Sequence, residues 1–401
     1  MLRSKRLVSI IFIITIVIGM TGIIKPVGGQ IRSNFFTQNS IADGDSAYDH
    51  LLKVRDEIES ACNSINPKSA YIELYGLVQR ISGRRLILDA DINSNVAKLD
   101  NNYLTFYYGK SNRIKENAAS IIELKTALQA LNIDLLYVQP PHKISKYDPG
   151  LPYGVVDFSN ENMDAFLTEI GNGGVDYLDL RQIMHDNGIN QYDMFFQTDH
   201  HWTPQAGLWA TGIVSEQLNK KYDFQIPSDL YNPDNYTFKL YKDYFLGSQG
   251  KRVGTLYAGV DDITLITPKF ETNLDLNIPA RDIHQTGNFE NALLFPEMIE
   301  EKDYYGKNPY VVYIGGDRPL VEIENKLVDQ KKILVVRDSY AIVFTPFMAL
   351  GCSELDEIDL RHYTDGSLIQ YIKQSTPDIV IFMYSPSRLN EISEFDFGIG
   401  T

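Results

Sequence analysis

Short apolar strands alternate with amphipathic helices over much of this chain, and this alternation limits most strongly the folds that it can adopt. A helix whose apolar stripe covers 114–131 leads into a strand at 133–138, and a helix near 161–170 precedes a strand at 175–180. The pattern returns with strands at 333–336, 357–361 and 378–383 and helices near 340–350 and 367–374. Strands joined by crossover helices run parallel, so we predict an α/β fold with a parallel sheet flanked by helices on both faces.

The alternation is interrupted between about 224 and 295. Short β-prone pieces at 254–260 and 263–268 stand there among Asn, Asp, Gly and Pro residues, which favour turns. We interpret this region as an antiparallel, β-rich insertion over one end of the sheet. Three further pieces, at 71–88, 103–108 and 309–316, are also predicted to be strand-like.

The N-terminal segment, residues 1–27, has the pattern of a targeting segment. Arg3, Lys5 and Arg6 precede an uncharged, almost wholly apolar run over 7–24, which would span roughly 27 Å as a helix. We expect an uncleaved signal anchor, with a cleaved signal peptide as the alternative. Either one places the body of the chain on the extracytoplasmic side, membrane-anchored or secreted, and an uncleaved anchor leaves the N-terminus in the cytoplasm. A polar linker over 28–45 and a helix over 46–64 are predicted to follow.

Composition and charge narrow the classes of function. The 401 residues are 44% hydrophobic and carry a formal net charge of -15, which indicates a globular body without the basic face that nucleic-acid binding requires. The only cysteines are Cys62 and Cys352. Two cysteines cannot form a disulfide framework or a thiol-based metal site. We expect two buried free thiols, with a single bridge between them as the alternative.

The stretch from Thr198 to Pro204 carries the clearest chemical signal. Asp199 stands two residues before His201 in a turn, and a carboxylate so placed can fix one tautomer of an imidazole and stabilise its protonated form. Thr203 is expected to cap the helix that follows. A carboxylate that only stabilises the turn is the alternative interpretation. A metal site is not favoured, because no third ligand stands at a metal-binding spacing.

Ser339 is the best candidate for a nucleophile. It follows the strand at 333–336, and ligands of open α/β sheets bind at the carboxyl ends of the strands. The helix behind it offers unpaired N–H groups to an oxyanion. We therefore expect Ser339 Oγ to contact one ring nitrogen of His201 while Asp199 holds the other. The alternative is that Ser339 caps its helix, a role that Asp338 can fill equally well.

Two other residues of the turn are given structural roles. His200 is expected to make a structural hydrogen bond and to take no part in the chemistry. Trp202 is expected to be a packing residue that supports the turn, not a platform for a sugar ring.

The sequence Asp199-His200-His201-Trp202, with Asp338-Ser339-Tyr340 further along, resembles the SGNH-hydrolase-like DHHW-motif proteins of bacteria, relatives of the periplasmic alginate O-acetyltransferases. The resemblance covers most of the body, from roughly Tyr71 onward. It implies an SGNH-like fold in permuted order, with 46–401 as the catalytic domain. It also implies three roles, with Asp199 as the orienting acid, His201 as the base and Ser339 as the nucleophile.

Two more segments resemble this family, Phe245-Leu246-Gly247-Ser248 with Lys251-Arg252, and Gly315-Gly316-Asp317. The resemblance implies that Gly316 donates a backbone hydrogen bond to the oxyanion, and it places Asp317, Arg252 and Tyr340 at the oxyanion or substrate site. For Arg252 a solvated loop charge is the alternative. Asp317 and Ile342 stand where the family often has Asn, and neither an ionised Asp nor an Ile can donate a hydrogen bond.

These features predict an extracytoplasmic O-acetyltransferase that transfers acetyl groups to hydroxyls of a cell-surface or extracellular polysaccharide through an acetyl-serine intermediate. The resemblance implies a multi-pass membrane acyltransferase as the supplier of acetyl groups. No cofactor and no metal are expected. Two alternatives stay open: an acetyl esterase that uses water as the acceptor, and a non-catalytic polysaccharide-binding or assembly protein.

Overall fold

A computed structural model describes residues 68–89, 94–391 and 393–399 of the chain. The predicted N-terminal anchor, the linker, the helix at 46–64 and Cys62 lie outside these residues. Within the described ranges, none of the helices combines the length and the apolar composition needed to cross a bilayer. Cys352 is a buried free thiol, as predicted.

The described α-helices are α1 (Lys68–Ile81), α2 (Ile114–Gln129), α3 (Ser159–Asn172), α4 (Leu180–Asp186), α5 (Pro204–Lys221), α6 (Ser248–Val253), α7 (Thr255–Ala258), α8 (Phe289–Leu293), α9 (Thr345–Met348) and α10 (Leu368–Ser375). The described strands are β1 (Leu86–Ile87), β2 (Val96–Lys98), β3 (Leu104–Thr105), β4 (Asp134–Gln139), β5 (Asp176–Asp179), β6 (Tyr236–Phe245), β7 (Asp261–Pro268), β8 (Leu274–Ile278), β9 (Ile283–Gly287), β10 (Leu320–Asn325), β11 (Lys332–Arg337), β12 (Glu354–Ile358) and β13 (Ile379–Met383).

Local sequence signals explain where the longest helix begins and ends. The Thr203 hydroxyl accepts a hydrogen bond from Ala206 N–H at 3.3 Å, and Pro204 occupies the first turn of α5, where its missing N–H leaves no bond unmade. Lys220 and Lys221 stand in the last turn, where cations interact favourably with the helix dipole. The predicted cap and the predicted helix start are both observed.

The fold is built on a mixed eight-stranded sheet. Its strand order is β5-β4-β13-β11-β12-β10-β8-β9. The first five of these strands are parallel, and β10, β8 and β9 are each antiparallel to the strand before them in that order. Because β4 and β11 belong to the parallel part, the loops that follow them leave the same carboxyl edge of the sheet.

The sheet buries a hydrophobic core on each face. Along β11, Leu334 and Val336 pack with residues of α2, α3 and α10 on one face, while Ile333 and Val335 pack with residues of α5 on the other. Alternate residues of a strand point to opposite faces, so a strand buried on both sides is apolar throughout. This arrangement is the helix-flanked α/β fold that the strand and helix pattern predicts.

The described residues divide into two compact units. The larger unit contains the eight-stranded sheet. In the smaller unit, residues 68–87 and 250–259, the carboxylate of Glu73 accepts hydrogen bonds from Thr255 N–H and Leu256 N–H, both at 2.9 Å. This carboxylate satisfies backbone donors in the first turn of α7 that have no partner within the helix.

The sheet differs from the parallel sheet predicted, because one edge of it is antiparallel. The region 224–295 supplies β8 and β9 to that edge, and its β6 and β7 form a separate antiparallel pair. It therefore extends the sheet, whereas the sequence pattern predicts that all of it lies over one end. Burial alternates along β8, with Leu274, Leu276 and Ile278 buried, as expected for a strand with one face on a core.

Several predicted strands are wrong for local reasons. Most of the predicted piece 71–88 is helical, because the apolar residues of 68–81 recur at helical spacing and form α1. Only its end, Leu86–Ile87, is a strand. Gly254 and Gly259, both at positive φ, bracket the single helical turn α7. Positive φ at Ile314, Gly315 and Gly316 prevents an extended strand over 309–316, which is a 3₁₀ turn followed by a loop. The helix predicted near 340–350 is broken into a 3₁₀ turn, α9 and a second 3₁₀ turn.

Candidate active site

The turn from Thr198 to Trp202 is held from several sides. The backbone of Phe195 and that of Trp202 form an antiparallel bridge, which closes the turn. The Asp261 carboxylate accepts hydrogen bonds from Thr198 N–H at 2.8 Å and from the Thr198 hydroxyl at 2.5 Å. The Thr198 hydroxyl in turn accepts one from Gly247 N–H at 2.8 Å. The turn is therefore fixed before any substrate arrives.

Asp199 is buried, and three hydrogen bonds converge on its carboxylate. Oδ1 lies 2.9 Å from His201 N and 2.5 Å from His201 Nδ1, and Oδ2 accepts from Ser248 N–H at 2.5 Å. Burial alone would raise the pKa of Asp199. The neighbouring imidazoles of His201 and His200 and these hydrogen bonds outweigh burial and hold that pKa well below its usual value. Asp199 is therefore ionised.

Ser339 follows β11 and contacts His201. Asp338 caps the 3₁₀ turn, since its Oδ1 accepts from Tyr340 N–H at 3.1 Å and its Oδ2 from Ser385 N–H at 2.9 Å. The Ser339 hydroxyl is consequently not needed as a cap. Its Oγ lies 2.8 Å from His201 Nε2. With Asp199 on Nδ1, the proton of a neutral His201 stays on Nδ1, and Nε2 accepts from the serine.

Asp199, His201 and Ser339, selected from the sequence, are thus in a continuous line of hydrogen bonds. The Oγ to Nε2 distance is within the range of about 2.6–3.2 Å expected of a nucleophile and its base. Ser339 is partly exposed, whereas Asp199 and His201 are buried. The arrangement can deprotonate the serine hydroxyl at a position that an acyl group can approach.

His200 and Trp202, the other two residues of the motif, make structural contacts, and the absence of a chemical role for His200 stays a prediction. His200 Nδ1 lies 2.8 Å from Ser248 Oγ. Trp202 is fully buried, and its Nε1–H donates to Tyr340 O at 2.8 Å. The hydroxyl of Tyr340 donates to His200 O at 2.7 Å. Because that hydroxyl is used between the two loops, Tyr340 joins the turn to the Ser339 segment, and its predicted place at the oxyanion or substrate stays a prediction.

Gly316 and Asp317 lie beside the strand that carries Ser339. Arg337 donates to Gly316 O at 3.3 Å and to Asp317 Oδ1 at 2.6 Å, and Arg361 lies 3.1 Å from the same oxygen. Burial opposes ionisation of Asp317, but the charges of Arg337 and Arg361 outweigh it and lower the pKa of its carboxyl. An ionised Asp317 accepts hydrogen bonds only, so it supplies no donor to an oxyanion.

Backbone N–H groups are the available oxyanion donors. Ser339 N–H makes no hydrogen bond to another described residue, and Gly316 N–H makes only a long one, 3.4 Å to Tyr313 O. Both belong to loops next to the serine. Arg252 belongs to the smaller unit, and the site described here is built from the larger one. Its predicted role as a substrate clamp stays a prediction.

Tyr310 and Ser248 are site residues that were not selected as such from the sequence. The Tyr310 ring stacks on the His201 ring, with 4.1 Å between centroids and 16° between planes. Its hydroxyl donates to Ser339 O at 3.0 Å. No sequence signal could have found Tyr310, because it stands in an irregular segment. Ser248 could have been identified from the sequence, because it ends the segment Phe245–Ser248 that resembles the family.

A buried charge network supports β11 from behind the serine. Arg337 is fully buried and contacts the carboxylates of Glu357, Asp359 and Asp317. Burial alone would lower the pKa of its guanidinium, but those carboxylates raise it. Arg337 is therefore charged, and the network fixes the end of the strand from which Ser339 follows.

Among the described residues, two groups have ligand atoms close enough to hold a metal ion. One is Asp199, His200 and His201, and the other is Asp317, Asp359 and His362. In the first, a metal would compete with the Asp199 to His201 hydrogen bond. In the second, Arg337 and Arg361 already neutralise the carboxylates. Neither group offers a donor set that is free for a cation.

Comparisons with known proteins agree with this fold. Residues 101–235 match the family model described as the SGNH hydrolase-like domain of the acetyltransferase AlgX. The structure is similar to that of Bacillus cereus PatB1 with a sulfonyl adduct, with 20% identity and a TM-score of 0.63. The match covers 78% of this chain and 98% of PatB1. It is also similar to a DHHW family protein from Eubacterium siraeum, with 16% identity, a TM-score of 0.58 and coverage of 78% and 96%.

No curated protein matches the chain. The resemblance stated from the sequence is confirmed, and at these identities the structural likenesses establish the fold.

Proposed function

This chain carries an SGNH hydrolase-like domain of the AlgX type, and we propose that it is an extracytoplasmic O-acetyltransferase acting on hydroxyls of a cell-surface or extracellular polysaccharide. The observation that carries the proposal is the line of hydrogen bonds from Asp199 Oδ1 through His201 to Ser339 Oγ, with distances of 2.5 and 2.8 Å. A buried acid, an oriented imidazole and an accessible hydroxyl are what acyl transfer through serine requires.

In the first half-reaction, His201 Nε2 takes the proton of the Ser339 hydroxyl as Oγ attacks the carbonyl carbon of an acetyl ester. The negative charge develops on the carbonyl oxygen, where N–H groups of Ser339 and Gly316 can bind it. When the tetrahedral intermediate collapses, the imidazolium returns the proton to the leaving group. Acetyl-serine remains, and Asp199 has stabilised the imidazolium throughout.

In the second half-reaction, a sugar hydroxyl takes the place of the leaving group. His201 Nε2 accepts its proton, the oxygen attacks the acetyl carbon, and the proton returns to Ser339 Oγ as the acyl bond breaks. The products are an acetylated sugar and free serine. If water enters instead of the sugar, the same steps give acetate, which is the esterase alternative.

The remaining parts of the proposal concern the location of the protein and the source of its acetyl groups. The body would act outside the cytoplasm, membrane-anchored or secreted through the N-terminal segment. Thioesters are cytoplasmic donors, so we propose that a multi-pass membrane acyltransferase supplies the acetyl group. No nucleic acid, cofactor or metal takes part.

A chromogenic acetyl ester tests the proposal. The full chain, solubilised in detergent, should release the chromophore, and Ser339→Ala should reduce the rate to that of the uncatalysed reaction. Ser353→Ala is a matched control, because the Ser353 hydroxyl bonds to Gln330 O outside the site. Equal background rates in the wild type and in Ser339→Ala would favour the non-catalytic polysaccharide-binding protein, to which the missing donor at Asp317 also points.

An added oligosaccharide then distinguishes transfer from hydrolysis. Mass spectrometry of the sugar should show a gain of one acetyl group that depends on Ser339. Acetate without acetylated sugar would indicate an esterase.

A further inference from the structure

Lys143 is buried beneath the Asp199 turn, although a lysine rarely lies inside a protein without a charged partner. Its side chain is 1% exposed. The Nζ atom donates to Leu104 O at 2.6 Å, to Gln197 O at 3.3 Å and to Gln249 Oε1 at 3.3 Å. It also lies 5.7 Å from the centre of the Tyr103 ring. Among the described residues, no carboxylate pairs with it directly.

The number of acceptors fits a charged lysine. An ammonium has three N–H donors, and the site provides three acceptors, two backbone carbonyls and one amide oxygen. A methionine here would fill the same space without desolvating a charge. The chain therefore keeps a costly cation at a position where an apolar residue would be less costly.

Two of the three acceptors belong to the segments that hold Asp199. Gln197 stands two residues before Asp199, and Gln249 follows Ser248, whose N–H donates to the Asp199 carboxylate. Leu104 N–H donates to Gln197 O at 2.8 Å, so Lys143 reinforces a contact that β3 already makes with the turn. One ammonium thus connects both segments that supply or bind the orienting carboxylate.

We propose that Lys143 is a positioning residue for the reaction, which holds the segments around Asp199 so that the Asp199 carboxylate stays on His201. This inference rests on the proposed function. Lys143 contacts neither the serine nor a substrate atom, so it acts through Asp199.

The charges that face Lys143 come from several elements. Burial lowers the pKa of Lys143 to about 7, although the carboxylates of Asp261 and Asp199 favour its protonated form. Burial lowers the pKa of His142 and of His200, and the positive charge of Lys143 adds to this effect. The phenol that faces Lys143 is that of Tyr103. Below about pH 7 Lys143 is therefore protonated and can donate all three of its hydrogen bonds.

Two substitutions separate hydrogen bonding from charge. Lys143→Met removes both, and Lys143→Gln restores up to two N–H donors without a charge. Lys146→Met is the matched control, because Lys146 is exposed and pairs with Asp164. The full chain in detergent is used throughout, and a thermal melt establishes which variants are folded.

The first measurement is kcat and KM for the acetyl ester. Lys143→Met should lower kcat by about 10²-fold with little change in KM, as expected when a small misplacement spoils the reacting geometry. Lys143→Gln should recover part of kcat, because it restores N–H donors to the same acceptors. A purely structural role would lower the melting temperature and leave kcat of the folded variants unchanged.

The second measurement follows the labelling of Ser339 by phenylmethylsulfonyl fluoride with mass spectrometry, which needs no acetyl transfer. Wild type and Lys146→Met should be labelled at equal rates, and Lys143→Met more slowly. Wild-type labelling rates and a wild-type kcat in both Lys143 variants would overturn the role of Lys143 and leave the proposed function standing. No labelling of Ser339 in the wild type would overturn both.

If Lys143→Met and Lys143→Gln do not fold, Gln249→Leu supplies the test. Among the described residues, Gln249 supplies the one side-chain acceptor of the ammonium, and this variant removes it and leaves both carbonyls in place. The kcat should fall, by less than is expected for Lys143→Met. A wild-type kcat in folded Gln249→Leu would count against the proposal.

Discussion

The ring of Tyr310 lies flat on the imidazole of His201, 4.1 Å away and inclined by 16°. Its hydroxyl reaches the backbone carbonyl of Ser339 at 3.0 Å, so one side chain contacts both the base and the segment of the nucleophile. An aromatic face next to an imidazole also stabilises the imidazolium that forms during the reaction. Tyr310 therefore covers one face of the His201 ring, while Asp199 and Ser339 contact its two nitrogens in the plane of the ring.

Substitutions at Tyr310 should separate the ring from the hydroxyl. Tyr310→Phe keeps the stacked ring and loses a bond to a carbonyl, so we expect a fall in kcat of about tenfold or less. Tyr310→Leu loses the ring and frees the imidazole to turn, so we expect about 10²-fold. Steady-state kinetics on the acetyl ester measures both. Equal losses in the two variants would show that the hydroxyl, not the ring, matters.

Gly247 is the closest neighbour of the Asp199 backbone. A Cβ at Gly247 would lie 2.1 Å from Asp199 Cβ and 2.4 Å from Asp199 Cα, distances that no packing tolerates. Gly247→Ala should therefore push Asp199 away from His201 and lower kcat by about 10²-fold. Gly109→Ala is the control, since a Cβ there meets no atom within 4 Å. A Gly247→Ala enzyme with wild-type kcat would mean that the turn can shift without loss of geometry.

Arg337 should be important for stability. It is fully buried and contacts Glu357, which is also fully buried. Arg337→Met would leave that carboxylate without its cation, so we expect the free energy of unfolding to fall by about 3–5 kcal/mol. Urea denaturation at pH 7 measures the change. Arg113→Met is the control, because Arg113 forms an exposed pair with Glu116, and such pairs are worth about 1 kcal/mol or less.

The double substitution Arg337→Met with Glu357→Leu tests the reason for that loss. If the unpaired carboxylate causes it, removing the carboxylate should restore much of the stability. A double variant as unstable as Arg337→Met would instead assign the loss to packing around the guanidinium.

The convergence of the two candidate loops could be predicted from the sequence because simple rules govern it. Ser339 follows an apolar strand, and Asp199 and His201 precede a helix with a clear cap and a proline in its first turn. Both features locate loops at an edge of an α/β sheet. The pairing of Ser339 with His201 then needs only the chemistry of the three side chains.

Other contacts of the site could not be predicted, because no local pattern encodes them. Tyr310 stands in a 3₁₀ turn between loops, and Lys143 stands in a proline-containing loop after β4. Their positions depend on tertiary packing alone. The antiparallel edge was missed for a related reason. Apolar and polar residues alternate over only a few positions in β8 and β10. This alternation does not specify which strand each of them pairs with.

Asp356 offers a test of pH dependence away from the candidate site. Burial raises the pKa of its carboxyl to about 6, and the charges of Glu322 and Glu354 add to this effect. The folded chain therefore binds this proton more tightly than the unfolded chain, whose Asp has a pKa of about 3.9. Stability from this group is present below about pH 4 and is lost as the pH rises through 6.

Asp356→Asn should remove that pH dependence. The amide oxygen can still accept the hydrogen bond that Tyr371 OH donates to Asp356 Oδ2 at 2.8 Å, so the local structure should be kept. We expect Tm to exceed that of the wild type by about 2–4 °C at pH 8, and the two to agree at pH 4. Calorimetry at both pH values measures the difference, with the exposed Asp365→Asn as control. A gain at pH 4 equal to that at pH 8 would assign the effect to something other than the ionisation of Asp356.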